Sequence, residues 1–277
     1  MKTFRLTSYS EELLQSVIEH NLLYTMECLK FNAAHHIGFY RFSSDIIPFA
    51  SHPINSFNWQ KTYKNAFKEM GDFVRTHGMR TSFHPDQFVV LNSKSLSVVQ
   101  NAIKELQYHT DMYSLMELDI CHKIQIHVGG VFDDKHASME RFIAVATNLP
   151  TSIKDRLVIE NDDRLYSLKD CMYINQSTSI PILFDNFHHQ CLNNGEPMEN
   201  AFTLACSTWK ECDGKPMMDY SSQQDGKRTG AHAVTIDVDD FIKYKDLYIR
   251  YDIDVILEIK DKEASVRKAM AILESTH

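Results

Sequence analysis

The chain has 277 residues, 43% hydrophobic and 24% charged, an ordinary balance for a globular enzyme and unlike that of a disordered or fibrous chain. No apolar run approaches the roughly 18 residues of a membrane helix, MKTFRLTSYSEELL lacks a signal-peptide core, and the six cysteines show no CxxC or secreted-scaffold spacing; the expectation is a cytoplasmic protein with free thiols and no membrane partner. A net charge of −8 argues against nucleic acid as a partner for the surface as a whole, although a local site holding cations can oppose the sign of the molecule.

No linker, low-complexity tract or long charge run divides the sequence, so residues 1–277 read as one domain. In chain order, short β-prone runs alternate with amphipathic stretches. IGFYRFSSD (Ile37–Asp45) comes first. A helical pattern over Asn58–His77 follows, with Trp59, Tyr63, Phe67, Met70 and Val74 on one face and His77-Gly78 as the stop. MRTSFHPD (Met79–Asp86) precedes a second helix over Val98–Met116, and KIQIHVGG (Lys123–Gly130) a third over Ala137–Thr147. RLVIENDD (Arg156–Asp163), PILFDNFHH (Pro181–His189), PMMDYSS (Pro216–Ser222) and DVILEIKD (Asp254–Asp261) complete the set. This βα rhythm predicts an α/β fold of parallel strands, a TIM-type (β/α) barrel.

The strand ends carry the chemistry. In order, the first polar groups at their carboxyl ends are Arg41 and Ser43, His84, His127, Glu160, Asp185 with His188, Asp219 and Glu258. Parallel α/β folds place their sites at that end of the sheet. Carboxylates with imidazoles and no cysteine form the ligand set of zinc, manganese or iron sites, and at least six candidates are enough for a cluster of two or three metals acting on a phosphoester. His188 lies three residues beyond Asp185, where the chain begins to turn, so both can face the barrel mouth.

Plainer readings stand beside these. His84 before Pro85 is also a turn histidine, and His127 before Gly129-Gly130 also a strand cap. Glu160 behind Val158-Ile159 is costly to bury unless paired or metal-bound, and Glu258 is the same, with Lys260 as a salt-bridge partner. Adjacent residues on an extended chain point apart, so His189 is not expected to be a ligand. His35, His36, His77, His109, His122 and His136 read as structural or surface residues, while His20 and His277 carry no signal.

The blocks FSSDIIPFASHP (42–53), FHPDQF (83–88), IHVGG (126–130), IENDDR (159–164), FDNFHH (184–189), DYSSQ (219–223), GAHA (230–233) and LEIKDKE (257–263) occur in one order. Together they resemble the UV damage endonucleases, metal-dependent TIM-barrel repair enzymes, over nearly the whole chain. The resemblance implies metal ligands at His52, His84, His127, Glu160, Asp185, His188, His232 and Glu258. It also implies up to three divalent ions, manganese foremost, with zinc or magnesium as alternatives. It implies double-stranded DNA carrying UV lesions as the partner of a monomer. Incision falls 5′ to the lesion and leaves a 3′-hydroxyl and a 5′-phosphate.

Gln87 and Phe88 match the family's lesion-probing glutamine and tyrosine; the aromatic can wedge and stack without the hydroxyl, and its plainer reading is a core residue of FVVL.

Two positions depart from the family pattern. Met217 and Asp219 stand where a lysine and a histidine are usual. Asp219 supplies an oxygen ligand that favours manganese or magnesium, whereas Met217 supplies none. The family's first strand is also missing, which leaves seven of a barrel's eight.

The sequence therefore points to an endonuclease in which Glu160, Asp185, Glu258 and Asp219 hold the ions and Lys260 or Arg164 contacts phosphate. Its alternatives are a non-catalytic damage-binding homologue and a two-metal sugar isomerase of the same barrel.

Overall fold

The computed structural model describes residues 1–274, so His277 lies outside them. In chain order its elements are α1 (Glu11–Ala34), β1 (Phe39–Phe42), α2 (Trp59–Thr62), α3 (Lys64–Thr76), β2 (Arg80–Phe83), α4 (Leu96–Leu115) and β3 (Lys123–His127). Then come α5 (Lys135–Thr147), α6 (Thr151–Lys154), β4 (Leu157–Glu160), α7 (Leu168–Thr178), β5 (Ile182–Asp185), α8 (Asn186–Cys191) and α9 (Met198–Cys206). β6 (Met217–Tyr220), α10 (Val238–Tyr251), β7 (Asp254–Leu257) and α11 (Glu263–Glu274) follow. Seven strands form among the described residues, the number counted from the sequence.

Two compact units organise them. One comprises Met1–Gly129 with Ala144–Leu157; the other comprises Gly130–Ile143 with the chain from Val158 onward. In the first, β1 pairs with β2 and β2 with β3, all parallel, in the registers Phe42↔Phe83 and Phe83↔Ile124. Parallel neighbours need a crossover, and α3 and α4 supply it. Ser10 caps α1 by accepting the Leu13 N–H at 3.1 Å, and Glu11 and Glu12 complement the positive helix end. Leu14, Ile18, Leu29, Phe67, Val74, Leu106 and Met112 are buried, each contributing about 1.5–3 kcal/mol of apolar burial. At Gly71 the two helices approach so closely that a Cβ would lie 1.8 Å from the Met116 carbonyl oxygen.

In the second unit, β4 to β7 pair in parallel, with Glu160↔Leu183, Asp185↔Asp219 and Tyr220↔Leu257 among the rungs. Every residue of β4, β5 and β6 is buried, as parallel strands covered on both faces require. A carboxylate therefore occupies the last or next-to-last position of three dry strands.

The strands are shorter than the apolar runs that announce them. PILFDNFHH is strand only to Asp185; Asn186–Cys191 is helix, because Asp185 caps it by accepting the His188 N–H at 2.7 Å. The helix expected over 58–77 breaks at Tyr63 into α2 and α3. Among the described residues no helix is long and apolar enough to cross a membrane.

Candidate metal centre

Register brings the carboxylates of the second unit together. Glu160 ends β4, Asp185 ends β5 opposite Asp219 of β6, and Glu258 follows β7 by one residue. Two groups of donors result, Glu160–Asp185–His188 and Asp185–Asp219–Glu258, each with its donor atoms within 4.8 Å of one another. Asp185 belongs to both. It has no exposed surface, its Oδ1 accepts the His188 N–H, and its Oδ2 accepts no hydrogen bond.

His188 joins the carboxylates because α8 starts at Asp185. Its Nδ1 lies 3.1 Å from Glu160 Oε1 and 3.6 Å from Asp185 Oδ2, and faces the Asn161 carbonyl oxygen at 3.0 Å. A proton on Nδ1 donated to that carbonyl leaves Nε2 with the lone pair, the way ligand histidines are oriented from behind.

Burial drives the Asp185 carboxyl well above the usual carboxylate range, against the pull of His188 and with repulsion from Glu160, Glu258 and Asp219. Burial pulls the His188 imidazolium down, but Asp185 and Glu160 outweigh it and push the group up to about 11. The centre thus holds a proton where its negative charge is concentrated. A divalent cation satisfies the same field with the proton released, so these donors fit one.

His232 presents Nδ1 to the Glu258 carbonyl oxygen at 3.0 Å and lies 3.6 Å from Glu258 Oε2, with its ring 5.8 Å from that of His188. In the first unit, His84 follows β2 and His127 ends β3, their rings 5.2 Å apart. His52 is exposed on the loop after β1, where its Nδ1 accepts the Ile54 N–H at 3.1 Å. Neither His52 nor His232 enters a cluster of three donors among the described residues.

Gln87 and Phe88 form an exposed turn after β2. Phe88 is 60% exposed while Val89 and Leu91 are buried, so the core reading of Phe88 fails: the burial of FVVL begins one residue later. Lys260 is exposed and donates to Gln224 Oε1 at 2.9 Å, and makes no ion pair with Glu258 among the described residues. Arg164 donates to Asp163 Oδ2 at 3.0 Å. Met217 is buried in β6.

His189 lies on a helix rather than an extended chain, so the alternation used to set it aside does not apply; it is buried beside Phe184, with the rings 5.2 Å apart.

Sequence reasoning missed Asn161. This fully buried residue donates to the Asp185 carbonyl oxygen and accepts the Asp185 N–H, both at 3.0 Å, fixing the backbone of the shared carboxylate. The amide beside Glu160 in VIEND was its signal. A third donor group, Asp119–Cys121–His122, suits a cation poorly. Burial, with Arg80, Arg156 and Arg75 nearby, lowers His122 to about 4, and burial raises the Cys121 thiol to about 12.

Comparison with known proteins adds the lineage. The family model described as UV-endonuclease UvdE matches residues 1–277. A UV DNA damage endonuclease of Clostridium perfringens (strain 13 / Type A) is 35% identical over 271 residues, covering 97% of this chain and 66% of that protein. One of Bacillus mycoides (strain KBAB4) is 32% identical over 284 residues, covering 99% and 89%. The chain spans just under two thirds of the first relative and most of the second. The crystal structure of SacUVDE matches with a TM-score of 0.93 at 43% identity, covering 99% of this chain and 93% of that one, which establishes the TIM-type (β/α)-barrel fold class. A match of the whole chain, with carboxylates and histidines gathered at strand ends, means that this chain belongs to the UvdE family of UV-endonucleases, a family of phosphodiester hydrolases.

Proposed function

We propose that this chain is a metal-dependent DNA repair endonuclease that incises double-stranded DNA 5′ to UV photoproducts, leaving a 3′-hydroxyl and a 5′-phosphate. The observation that carries the reading is Asp185: a fully buried carboxylate with one oxygen lacking a donor, shared by two groups of metal-type ligands. The proposed ligands are His52, His84, His127, Glu160, Asp185, His188, Asp219, His232 and Glu258, for up to three ions. Oxygen donors prevail at the shared centre, which favours manganese or magnesium over zinc.

Bound divalent ions supply Lewis-acid neutralisation of charge building on the phosphate. Glu160, Asp185, Asp219 and Glu258 supply the negative field that holds them. Asn161 fixes the Asp185 backbone, and the α8 cap fixes its carboxylate, so the donors are oriented before substrate arrives. Phe88, with Gln87 beside it, stands free to wedge into a base step at the lesion. Lys260, on the segment following Glu258, engages a substrate phosphate. The protein works as a cytoplasmic monomer, with residues 1–277 as one catalytic domain.

A duplex bearing a single photoproduct, incubated with manganese, tests the reading. The expected product is one cut on the 5′ side of the lesion whose 3′ end a polymerase extends directly, absent for Asp185→Asn. A cut on the 3′ side, an unextendable end, or full activity in Asp185→Asn would each refute it.

A further inference from the structure

The second unit carries an ordered loop that its core does not explain. Between Ser222 and Ala233 only these two flanking residues are buried, yet the loop is bonded throughout. The Gln223 side chain fills its interior. Nε2 donates to the carbonyl oxygens of Gln224 at 2.9 Å, Lys227 at 3.4 Å and Arg228 at 3.0 Å, while Oε1 accepts the Gly230 N–H at 3.1 Å.

Backbone bonds from Gln224 to Ala231 and from Ala231 to Arg228 close the turn, and Gln223 and His232 form an antiparallel bridge. Gly230 has φ +82°, and a Cβ there would lie 2.4 Å from Asp163 Oδ2, so the loop also rests against the segment following β4. Its far end is His232, bonded to the Glu258 carbonyl oxygen.

This framework presents two cations, Lys227 and Arg228. Both are exposed, and neither makes an ion pair among the described residues. The cations singled out by sequence are engaged: Arg164 with Asp163, and Lys260 with the Gln224 side chain of this same loop. The loop carries one carboxylate, Asp225, so with Lys260 its outer surface is net positive on a chain of net charge −8. An ammonium and a guanidinium held side by side without partners are suited to phosphate, the guanidinium by its fork of donors.

We propose that residues 223–232 form a preformed phosphate-binding arm in which Lys227 and Arg228 contact the substrate's sugar-phosphate backbone and Gln223 is the positioning residue. The proposal rests on the endonuclease reading, since the backbone it grips is that of the DNA substrate. Anchoring through His232 and Glu258 couples the arm to the carboxylate centre, so that gripping the backbone also sets the register of the scissile bond.

The test is binding of a fluorescent undamaged duplex by the manganese-loaded protein, measured as log K against log salt. Each backbone contact contributes about 0.9 to the slope, so Lys227→Ala/Arg228→Ala should make it shallower by about 1.8, with the melting temperature unchanged. Gln223→Ala keeps both cations and therefore the slope, but loses several-fold affinity because the arm must be ordered on binding. Arg164→Ala should leave the slope unchanged.

An unaltered slope in the double variant, with wild-type binding intact, overturns the arm and leaves the endonuclease reading standing. A drop in Arg164→Ala instead overturns it in favour of the Asp163-paired cation. Failure of the wild-type protein to bind duplex DNA at low salt removes the endonuclease reading, and the arm with it.

Discussion

Asp185 binds the His188 N–H through one oxygen and offers the other to the centre, while burial and three neighbouring carboxylates oppose its ionisation. That tension yields a prediction with two opposite signs. Asp185→Asn keeps the helix cap, since asparagine caps as well as aspartate, but removes a buried charge. The metal-free variant should melt higher than metal-free wild type, whereas manganese should stabilise only the wild type. Melting curves with manganese and with chelator check this, and a lower melting point for the metal-free variant would contradict it.

Phe88 illustrates what sequence could and could not decide at this scale. The run FVVL reads as apolar, and only the structure shows that burial starts at Val89, leaving the ring 60% exposed. Phe88→Ala should cost under about 0.5 kcal/mol of stability, as surface changes do. The same variant should lose preference for irradiated over unirradiated DNA, read as a ratio of incision rates.

Elements were legible where their periodicity was clean. Helices α3, α4 and α5 lie within a few residues of the expected ranges, and every strand falls inside its apolar run. The misses have physical causes. At PILFDNFHH the run of apolar residues hides an N-cap aspartate, and the helix it starts is what swings His188 toward Glu160. Along α1 the buried Leu14, Ile18, Leu22 and Leu29 share the helix with exposed Leu23, Tyr24 and Phe31, which blurs the period. Asn161 acts through backbone bonds to a residue 24 positions away, which no local pattern records.

Helix packing gives a sharp test. Gly71→Ala places a methyl 1.8 Å from the Met116 carbonyl oxygen, where helix backbone cannot yield as a side chain can. Overpacking of this kind should destabilise by about 3 kcal/mol, read by urea unfolding, and a loss below about 0.5 kcal/mol would mean the helices can part without penalty.

Over the whole molecule, charge and composition were informative about class and silent about chemistry. A net charge of −8 argued against DNA, while the family match points to DNA repair and the strand-end donors explain how a local cation site can oppose the sign of the surface. Two buried histidines outside that centre govern acid stability.

Burial lowers His109 from 6.5 to about 4, and burial with nearby arginines lowers His122 likewise. A depressed folded-state value means that their stabilising contribution is complete above pH 6.5 and lost as pH falls towards 4. Chelator-treated protein should therefore lose about 2 kcal/mol per histidine between pH 7 and pH 5 in urea unfolding, and a flat profile over that range would exclude the effect.

The central claim is that strand-end carboxylates and imidazoles make a metal-dependent endonuclease for UV lesions. Nicking of supercoiled plasmid, irradiated against unirradiated, with manganese or with chelator, tests it most directly. The account predicts relaxation of the irradiated plasmid alone, and only with metal present. Equal nicking of both plasmids, nicking that persists in chelator, or no nicking by protein with manganese demonstrably bound would contradict it.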